Sequence, residues 1–270
     1  MTKLPFLRGW EFLIKLIKLE GFSLSNNSPG LFVDGLKQLR VEPKDALLEQ
    51  FLCYRRELLD WNTRVNLTAI IDPEAVLLKH FLDSLSVLKV YDKSSTRLLD
   101  IGSGAGFPGL VLKIVRPRWE VVLLEATGKK VAFLRHMIEK LQLEHVEAVH
   151  GRAEEFAHKQ EYRATFDLVT ARAVASLPTL LEYAAPFCRV GGCVVLLKKG
   201  ALEDELAQGK RAAREVGVVL KSDTAVLLPG LEHGRRLLVW EQQRMSPKLY
   251  PRSGAAMAKR PLGGSYRSTN

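Results

Sequence analysis

The segment Leu98–Gly109, LLDIGSGAGFPG, places an apolar run, an acid and a glycine-dense turn in direct succession. Glycines in such a turn let backbone N–H groups come close to a bound group, and the helix that follows turns its positive end toward it. That chemistry suits a nucleotide-type ligand. A dinucleotide fingerprint, G-x-G-x-x-G, would need glycine at 102, 104 and 107. Position 107 is Phe107, and the glycines fall instead at Gly102, Gly104 and Gly106.

This D-x-G-x-G-x-G form resembles the first motif of class I S-adenosylmethionine (SAM)-dependent methyltransferases. SAM carries an ammonium, a sulfonium and a carboxylate. Asp100 either offsets that positive charge, directly or through a water, or caps the loop, while N–H groups around Gly102 and Gly104 meet the carboxylate. Glu125 ends the next apolar run, LLEA, where an acid can accept both ribose hydroxyls. The alternative is an ordinary strand-end carboxylate. Further along, GRAEE (Gly151–Glu155) falls where such folds hold the adenine, with Ala153 and Glu154 as candidates. Lys129 and Lys130 either are solvated or face RNA.

The stretch TARAVA, Thr170–Ala175, stands where the acceptor normally meets the methyl group. It has no Asn/Asp-Pro-Pro-aromatic tetrad of the kind used on adenine amino groups. Methylation at pyrimidine C5 needs a cysteine nucleophile, usually beside proline. Cys53, Cys188 and Cys193 follow Leu52, Phe187 and Gly192 instead. Arg172 remains. Its guanidinium is no base at neutral pH, but it can hold a phosphate, a carboxylate or the O6/N7 edge of guanine. Its structural alternative is a salt bridge. His80 is expected to bond to Asp83 or to backbone rather than to catalyse, and Asn66 to fix a turn over the cofactor mouth or to contact substrate.

These residues need a frame, and the chain supplies alternating signals from Arg97 onward. Strands are predicted at Arg97–Ile101, Glu120–Glu125, Val146–Val149, Phe166–Thr170 and Gly192–Lys198. Helices are predicted at Gly109–Val115, Lys129–Leu141, Ala153–Ala157, Leu177–Phe187 and Glu203–Val216. Two late strands, around Val218–Leu228 and Arg236–Gln242, complete the set, and the last can pair as an antiparallel hairpin. Apolar strands in repeated βα units imply a mostly parallel sheet covered on both faces. The expected fold is therefore α/β and Rossmann-like, with the seven-stranded sheet of class I methyltransferases and a helical N-terminal lobe. The expected divisions are 1–92 for that lobe (with 1–30 an extension), 93–243 for the SAM-binding domain and 244–270 for a basic tail.

Within the extension, Leu7, Trp10, Ile14 and Ile17 recur at helical spacing, and the charges between them argue against a signal peptide or membrane span. Asn26–Gly30 reads as a loop. The tail carries Arg244, Lys248, Arg252, Lys259, Arg260 and Arg267 with no acid, and three prolines, so it is expected to be extended or partly disordered. The formal net charge of +10 over 270 residues favours polyanions through counterion release, or marks a generally basic protein. The three scattered cysteines suit neither a disulfide framework nor a metal site and fit a reducing cytoplasm.

Taken jointly, WNTRVNLTAI (Trp61–Ile70), KHFLDSL (Lys79–Leu85), DIGSGAGFPG, GRAEE, TARAVA and the tail YPRSG…KRPL resemble the bacterial 16S rRNA guanine-N7 methyltransferase family, RsmG or GidB, in the family's order. The likeness runs from about Leu47 to Leu262. In the tail, Ala255, Ala256 and Met257 depart from it where a Thr-Pro pair is common. The resemblance implies SAM as cofactor, S-adenosylhomocysteine as product and no metal. It implies 16S rRNA, the small subunit or an assembly intermediate as partner, no membrane, a monomer and a cytoplasmic location. Gly102, Phe107, Ala153, Glu154 and Arg172 match its SAM-binding positions, and Arg172 leads for the reaction zone. The competing expectations are an RNA-binding module on the same fold without turnover, and a ribose 2′-O-methyltransferase using Lys198 or Lys199 as base.

Overall fold

Seven strands form a single sheet: β1 (Arg97–Ile101), β2 (Glu120–Glu125), β3 (Val146–His150), β4 (Phe166–Arg172), β5 (Cys188–Lys199), β6 (Val218–Ala225) and β7 (Arg235–Gln242). They come from a computed structural model that describes residues 28–172 and 175–263. The order across the sheet is β3-β2-β1-β4-β5-β7-β6. The first five strands pair in parallel, and β7 runs antiparallel to both β5 and β6. Parallel strands lie under helices on both faces, which is why Val121–Leu124 and Val194–Leu197 are continuous apolar runs. The chain winds outward from β1 to β3 and returns to β4 on the other side of β1. In an open sheet, that reversal opens a crevice at the carboxyl ends of β1 and β4.

Nine α-helical elements are described: α1 (Ser28–Gln38), α2 (Asp45–Asn62), α3 (73–85), α4 (Gly109–Val115), α5 (Gly128–Lys140), α6 (Ala153–Phe156), α7 (Leu177–Ala184), α8 (Glu203–Val216) and α9 (Gly254–Lys259). Ser28–Gly30, expected as loop, is instead the first turn of α1, with Pro29 where a missing N–H costs nothing. The helix expected around Leu7–Ile17 lies outside the described residues. In α3 the middle, Leu77–Leu82, is a wider π-type turn.

Side chains alternate between the two faces of each strand, so the sheet separates two apolar clusters. Leu98, Leu123 and Leu168 join one of them, and Leu99, Leu124 and Val169 the other. Phe32, Phe51, Tyr54 and Phe81 of the N-terminal helices belong to the first cluster, together with Leu110 of α4 and Phe133 of α5. The lobe is thus packed onto one face of the sheet through a shared core. Tyr54 also donates its hydroxyl to the carbonyl of Ala105, tying α2 to the glycine loop.

The tail differs from expectation. Residues 244–263 are docked on the body rather than extended or disordered, with Ser246, Tyr250 and Met257 buried. Arg163 Nη1 donates to Tyr250 O at 2.9 Å, and its Nη2 donates to Ser246 O and Pro247 O at 2.8 and 2.9 Å. Arg252 forks onto the fully buried Glu182, with Nε–Oε1 at 2.8 Å and Nη2–Oε2 at 2.7 Å. Composition misleads here because the acid that neutralises Arg252 lies on α7, 70 residues away.

Candidate active site

The glycine loop leaves β1 and doubles back before α4. Gly104 has φ 58°, and a Cβ there would make only an ordinary contact with Gly102 O at 3.9 Å, so backbone conformation alone requires glycine. Gly106, at φ 95°, has both constraints: a Cβ there would collide with the Tyr54 hydroxyl and lie 2.8 Å from Leu110 Cβ. Glu125 at the end of β2 organises the loop. Its Oε2 accepts from Gly104 N at 2.9 Å and its Oε1 from Thr127 N at 2.8 Å. Each oxygen keeps a further lone pair.

Asp100 lies beneath the loop, fully buried. Its Oδ2 accepts from Gly109 N at 3.0 Å and its Oδ1 from the Thr170 hydroxyl at 2.9 Å. The carboxylate therefore braces the start of α4 against β4. Burial pushes its pKa up to about 6, partly opposed by those hydrogen bonds and by the positive charge of Arg172.

Two adjoining cavities follow the carboxyl edge. One of about 450 Å³ is lined by Gly102, Gly104, Phe107, Glu125, Lys130 and Arg172, with Thr68 and His80 of the N-terminal lobe. The other, about 160 Å³, is lined by Gly102, Gly151, Ala153, Glu154 and Tyr183. They share Gly102 and Ala126. Every predicted SAM-site residue except Asp100 lines one of them, whereas Asn66, Lys129, Lys198 and Lys199 line neither; Ala173 and Val174 of TARAVA lie outside the described residues.

Arg172 forms a corner of the larger cavity. Its Nη1 donates to Asp83 Oδ2 at 3.0 Å, its Nη2 reaches His80 Nδ1 at 3.2 Å, and its Cζ lies 4.9 Å from the Phe107 ring centroid. A guanidinium can only donate, so Nδ1 of His80 accepts and Nε2 carries the proton. Nε2 then donates to the Thr68 hydroxyl at 2.7 Å. The imidazole stacks on Phe107 with centroids 4.4 Å apart. Burial, then the charges of Arg172 and Arg235, pull His80 down to about 3, so the ring is neutral at physiological pH.

The structure corrects two assignments here. His80 bonds to Thr68 and Arg172, and it is Arg172 that pairs with Asp83. The turn carrying Thr68 is held by Asn62, not Asn66: Asn62 Oδ1 accepts from Leu67 N and Thr68 N at 2.8 and 2.9 Å. Spacing within KHFLDSL shows that His80 and Asp83 can share a helix face. Nothing in the sequence marks Thr68 or Tyr183.

A third cavity, about 460 Å³, opens on the other side of Arg172 and His80, which it shares with the larger cofactor-side cavity. Lys79, Lys198, Lys199, Arg235 and Arg236 also line it, against the acids Asp83 and Glu232. Asp83 sits between two guanidiniums, with Arg235 Nη1 at 3.2 Å from Oδ1. Lys198 pairs with Glu205 at 2.7 Å.

A sheet ordered β3-β2-β1-β4-β5-β7-β6 with β7 reversed, and a glycine loop after β1 facing an acid at the end of β2, define a class I SAM-dependent methyltransferase. Sequence comparison narrows the class. The family profile described as rRNA small subunit methyltransferase G, GidB, matches residues 47–229, and the chain belongs to that family. It is 46% identical over 230 residues to the ribosomal RNA small subunit methyltransferase G of Dehalococcoides mccartyi strain CBDB1, covering 85% of this chain and 98% of that protein. The namesake protein of Roseiflexus sp. strain RS-1 is 46% identical over 224 residues, covering 83% and 94%. That of Exiguobacterium sibiricum is 41% identical over 233 residues, covering 86% and 98%.

Proposed function

We propose that this protein transfers the methyl group of SAM to N7 of a guanine in small-subunit ribosomal RNA. The observation that carries this reading is the position of Arg172 and His80, which form the wall between the glycine-loop cavity and a basic one. The larger cofactor-side cavity falls in the volume range of ligand sites, the smaller adjoins it, and the acids Glu125 and Glu154 in their linings fit the ribose and adenine of SAM.

Bound there, SAM supplies an electrophilic methyl group on a sulfonium. The loop at Gly102–Ala105 lines the cavity and would face its amino-acid end, but the N–H groups expected to meet the carboxylate are already spent, those of Gly102 and Ser103 on Leu124 O and that of Gly104 on Glu125. The free lone pairs of Glu125 would accept ribose hydroxyls, and Ala153 N–H and Glu154 would read the adenine edge. Phe107, stacked on His80, gives an apolar floor.

Guanine N7 needs no deprotonation before it attacks. Its lone pair forms the new N–C bond while the C–S pair leaves with sulfur, so positive charge moves to the purine. Arg172 must not donate to N7, which would occupy that lone pair; it serves by donating to O6. His80 is not placed to act as a base, because its one ring lone pair already accepts from Arg172. Catalysis then rests on alignment, which supplies about 7–11 kcal/mol in favourable cases.

The test is methyl transfer from labelled SAM to undermethylated 30S subunits and to purified 16S rRNA, followed by nucleoside analysis. Label in 7-methylguanosine is expected. SAM binding without transfer to either substrate, or label in a 2′-O-methylated nucleoside, overturns the reading.

A further inference from the structure

The mouth of the basic cavity carries an arrangement that methyl transfer itself does not use. Glu232, on the turn between β6 and β7, is gripped from two sides. Lys79 Nζ of α3 lies 3.0 Å from its Oε1, and Lys199 Nζ at the end of β5 lies 2.6 Å from its Oε2. The three side chains are 41%, 55% and 50% exposed in the order Lys79, Lys199, Glu232, so all remain open to solvent. Each lysine holds a different oxygen of one carboxylate.

Two acceptor oxygens sharing one negative charge are also what a phosphodiester presents through its non-bridging oxygens. The other charges lining this cavity are Arg172, Lys198, Arg235 and Arg236 against Asp83. Lys198 and Arg236 are neutralised by Glu205 and Asp223, so apart from Glu232 the net positive charge comes from Lys79, Lys199, Arg172 and Arg235 against Asp83. Glu232 sits between Gly230 and Gly234, both at positive φ (71° and 84°), on a short turn that carries it across the opening.

We propose that Lys79 and Lys199 form a clamp for the phosphodiester next to the target guanine, and that Glu232 is an internal placeholder displaced when RNA enters. This rests on the RNA-methylating reading above. The two lysines hold the Glu232 carboxyl down to about 2, so the placeholder keeps its charge throughout the physiological range. Displacement is cheap because exposed ion pairs are individually weak. The gain is contact of both ammoniums with phosphate and release of the counterions condensed on RNA. The carboxylate also keeps the lysines oriented, and it raises the threshold for weakly bound anions.

The experiment is filter binding of undermethylated 16S rRNA across a potassium chloride series. It compares the wild-type chain with Glu232→Gln, Lys79→Gln, Lys199→Gln and Lys199→Arg, with SAM affinity measured by calorimetry. Removing the competing carboxylate should tighten RNA binding about two- to five-fold at low salt, the range of an exposed pair. Each Lys→Gln change should weaken binding and flatten the log–log salt slope by about 0.7. Lys199→Arg should retain the wild-type slope, and SAM affinity should stay constant throughout. Unchanged or weaker RNA binding by Glu232→Gln, or unaltered slopes in both Lys→Gln variants, would overturn the clamp.

Methyl transfer scored in parallel separates the two ideas. Variants that show these binding changes while the wild-type chain methylates no guanine refute the reaction and leave standing only a clamp for RNA phosphate. A wild-type chain that methylates guanine while Glu232→Gln binds RNA no tighter refutes the clamp alone.

Discussion

Nη2 of Arg172 lies 3.2 Å from Nδ1 of His80, and the two residues stand 92 positions apart in the chain. One is the last residue of β4, the other belongs to the π-type turn of α3. Because arginine only donates, this contact sets the imidazole tautomer and points its remaining N–H at Thr68. It also joins the N-terminal lobe to the sheet at the wall between the two cavities. The site therefore depends on how the lobe docks, and not on the loop motif alone.

His80 should stay neutral through the physiological range. Its pKa is held down to about 3 against an ordinary 6.5, so the folded protein resists a proton that the unfolded chain accepts. The contribution is intact above pH 6.5 and is lost as pH falls toward 3, by about 1.4 kcal/mol per pH unit. A titration of the imidazole proton signals by NMR tests this. A midpoint near 6.5 would rule out the contact with Arg172 as drawn.

Asp100 should act in the opposite sense. Its folded pKa is raised to about 6 from 3.8, so its contribution is greatest below pH 3.8 and is lost as pH rises through 6. In Asp100→Asn the amide oxygen can still accept from Gly109 N, and the amide nitrogen can donate to the Thr170 hydroxyl. The variant should gain on wild type by about 1.4 kcal/mol per unit between pH 4 and 6 in urea unfolding. Its SAM affinity should be little changed, because Asp100 lies under the loop. A large loss of SAM affinity would restore the direct charge-offset role.

Replacing Arg172 with lysine keeps a cation beside Asp83 but gives up the second arm of the fork, on His80, and the guanidinium's contact with the Phe107 ring. Thermal unfolding should move little, while kcat falls about 100-fold, the effect of losing one well-placed donor. Near-normal turnover would remove Arg172 from the reaction zone.

Arg252→Ala would strand Glu182, which is fully buried. A loss of about 3–5 kcal/mol is expected in denaturant unfolding. Wild-type stability would show that the docked tail contributes nothing.

The tail also bears on the cofactor. A Cβ at Gly254 would lie 3.1 Å from Glu154 Oε1. Gly254→Val should therefore raise KM for SAM while leaving rRNA binding intact. An effect on RNA alone would return the tail to the role its basic composition suggested.

Much of the frame was legible without coordinates. The bounds of β1, β2, α4 and α8 coincide with those read from periodicity, and most of the others differ by a few residues at one end. Apolar runs of strand length, helical spacing and glycine or proline punctuation are local signals, and local sterics and burial read them directly. The glycine loop and its acid at Glu125 belong to the same category. The tail does not: its prolines and charges look solvated until Arg163 and Glu182 close on it.

By itself the sequence determined the order of the elements, the positions of the loop glycines and the family. Each depends on residues a few positions apart, or on a pattern spread over the whole chain. Only the tertiary structure decided that Arg172 pairs with Asp83 and His80, that Asn62 rather than Asn66 holds the Thr68 turn, and that Asp100 braces a helix from below. The contacts of Arg172 join residues that only packing of the lobe on the sheet brings together, while those of Asn62 and Asp100 lie within nine residues and turn on which side-chain atom the local backbone presents. Their energies depend on geometry and burial, which no local pattern carries.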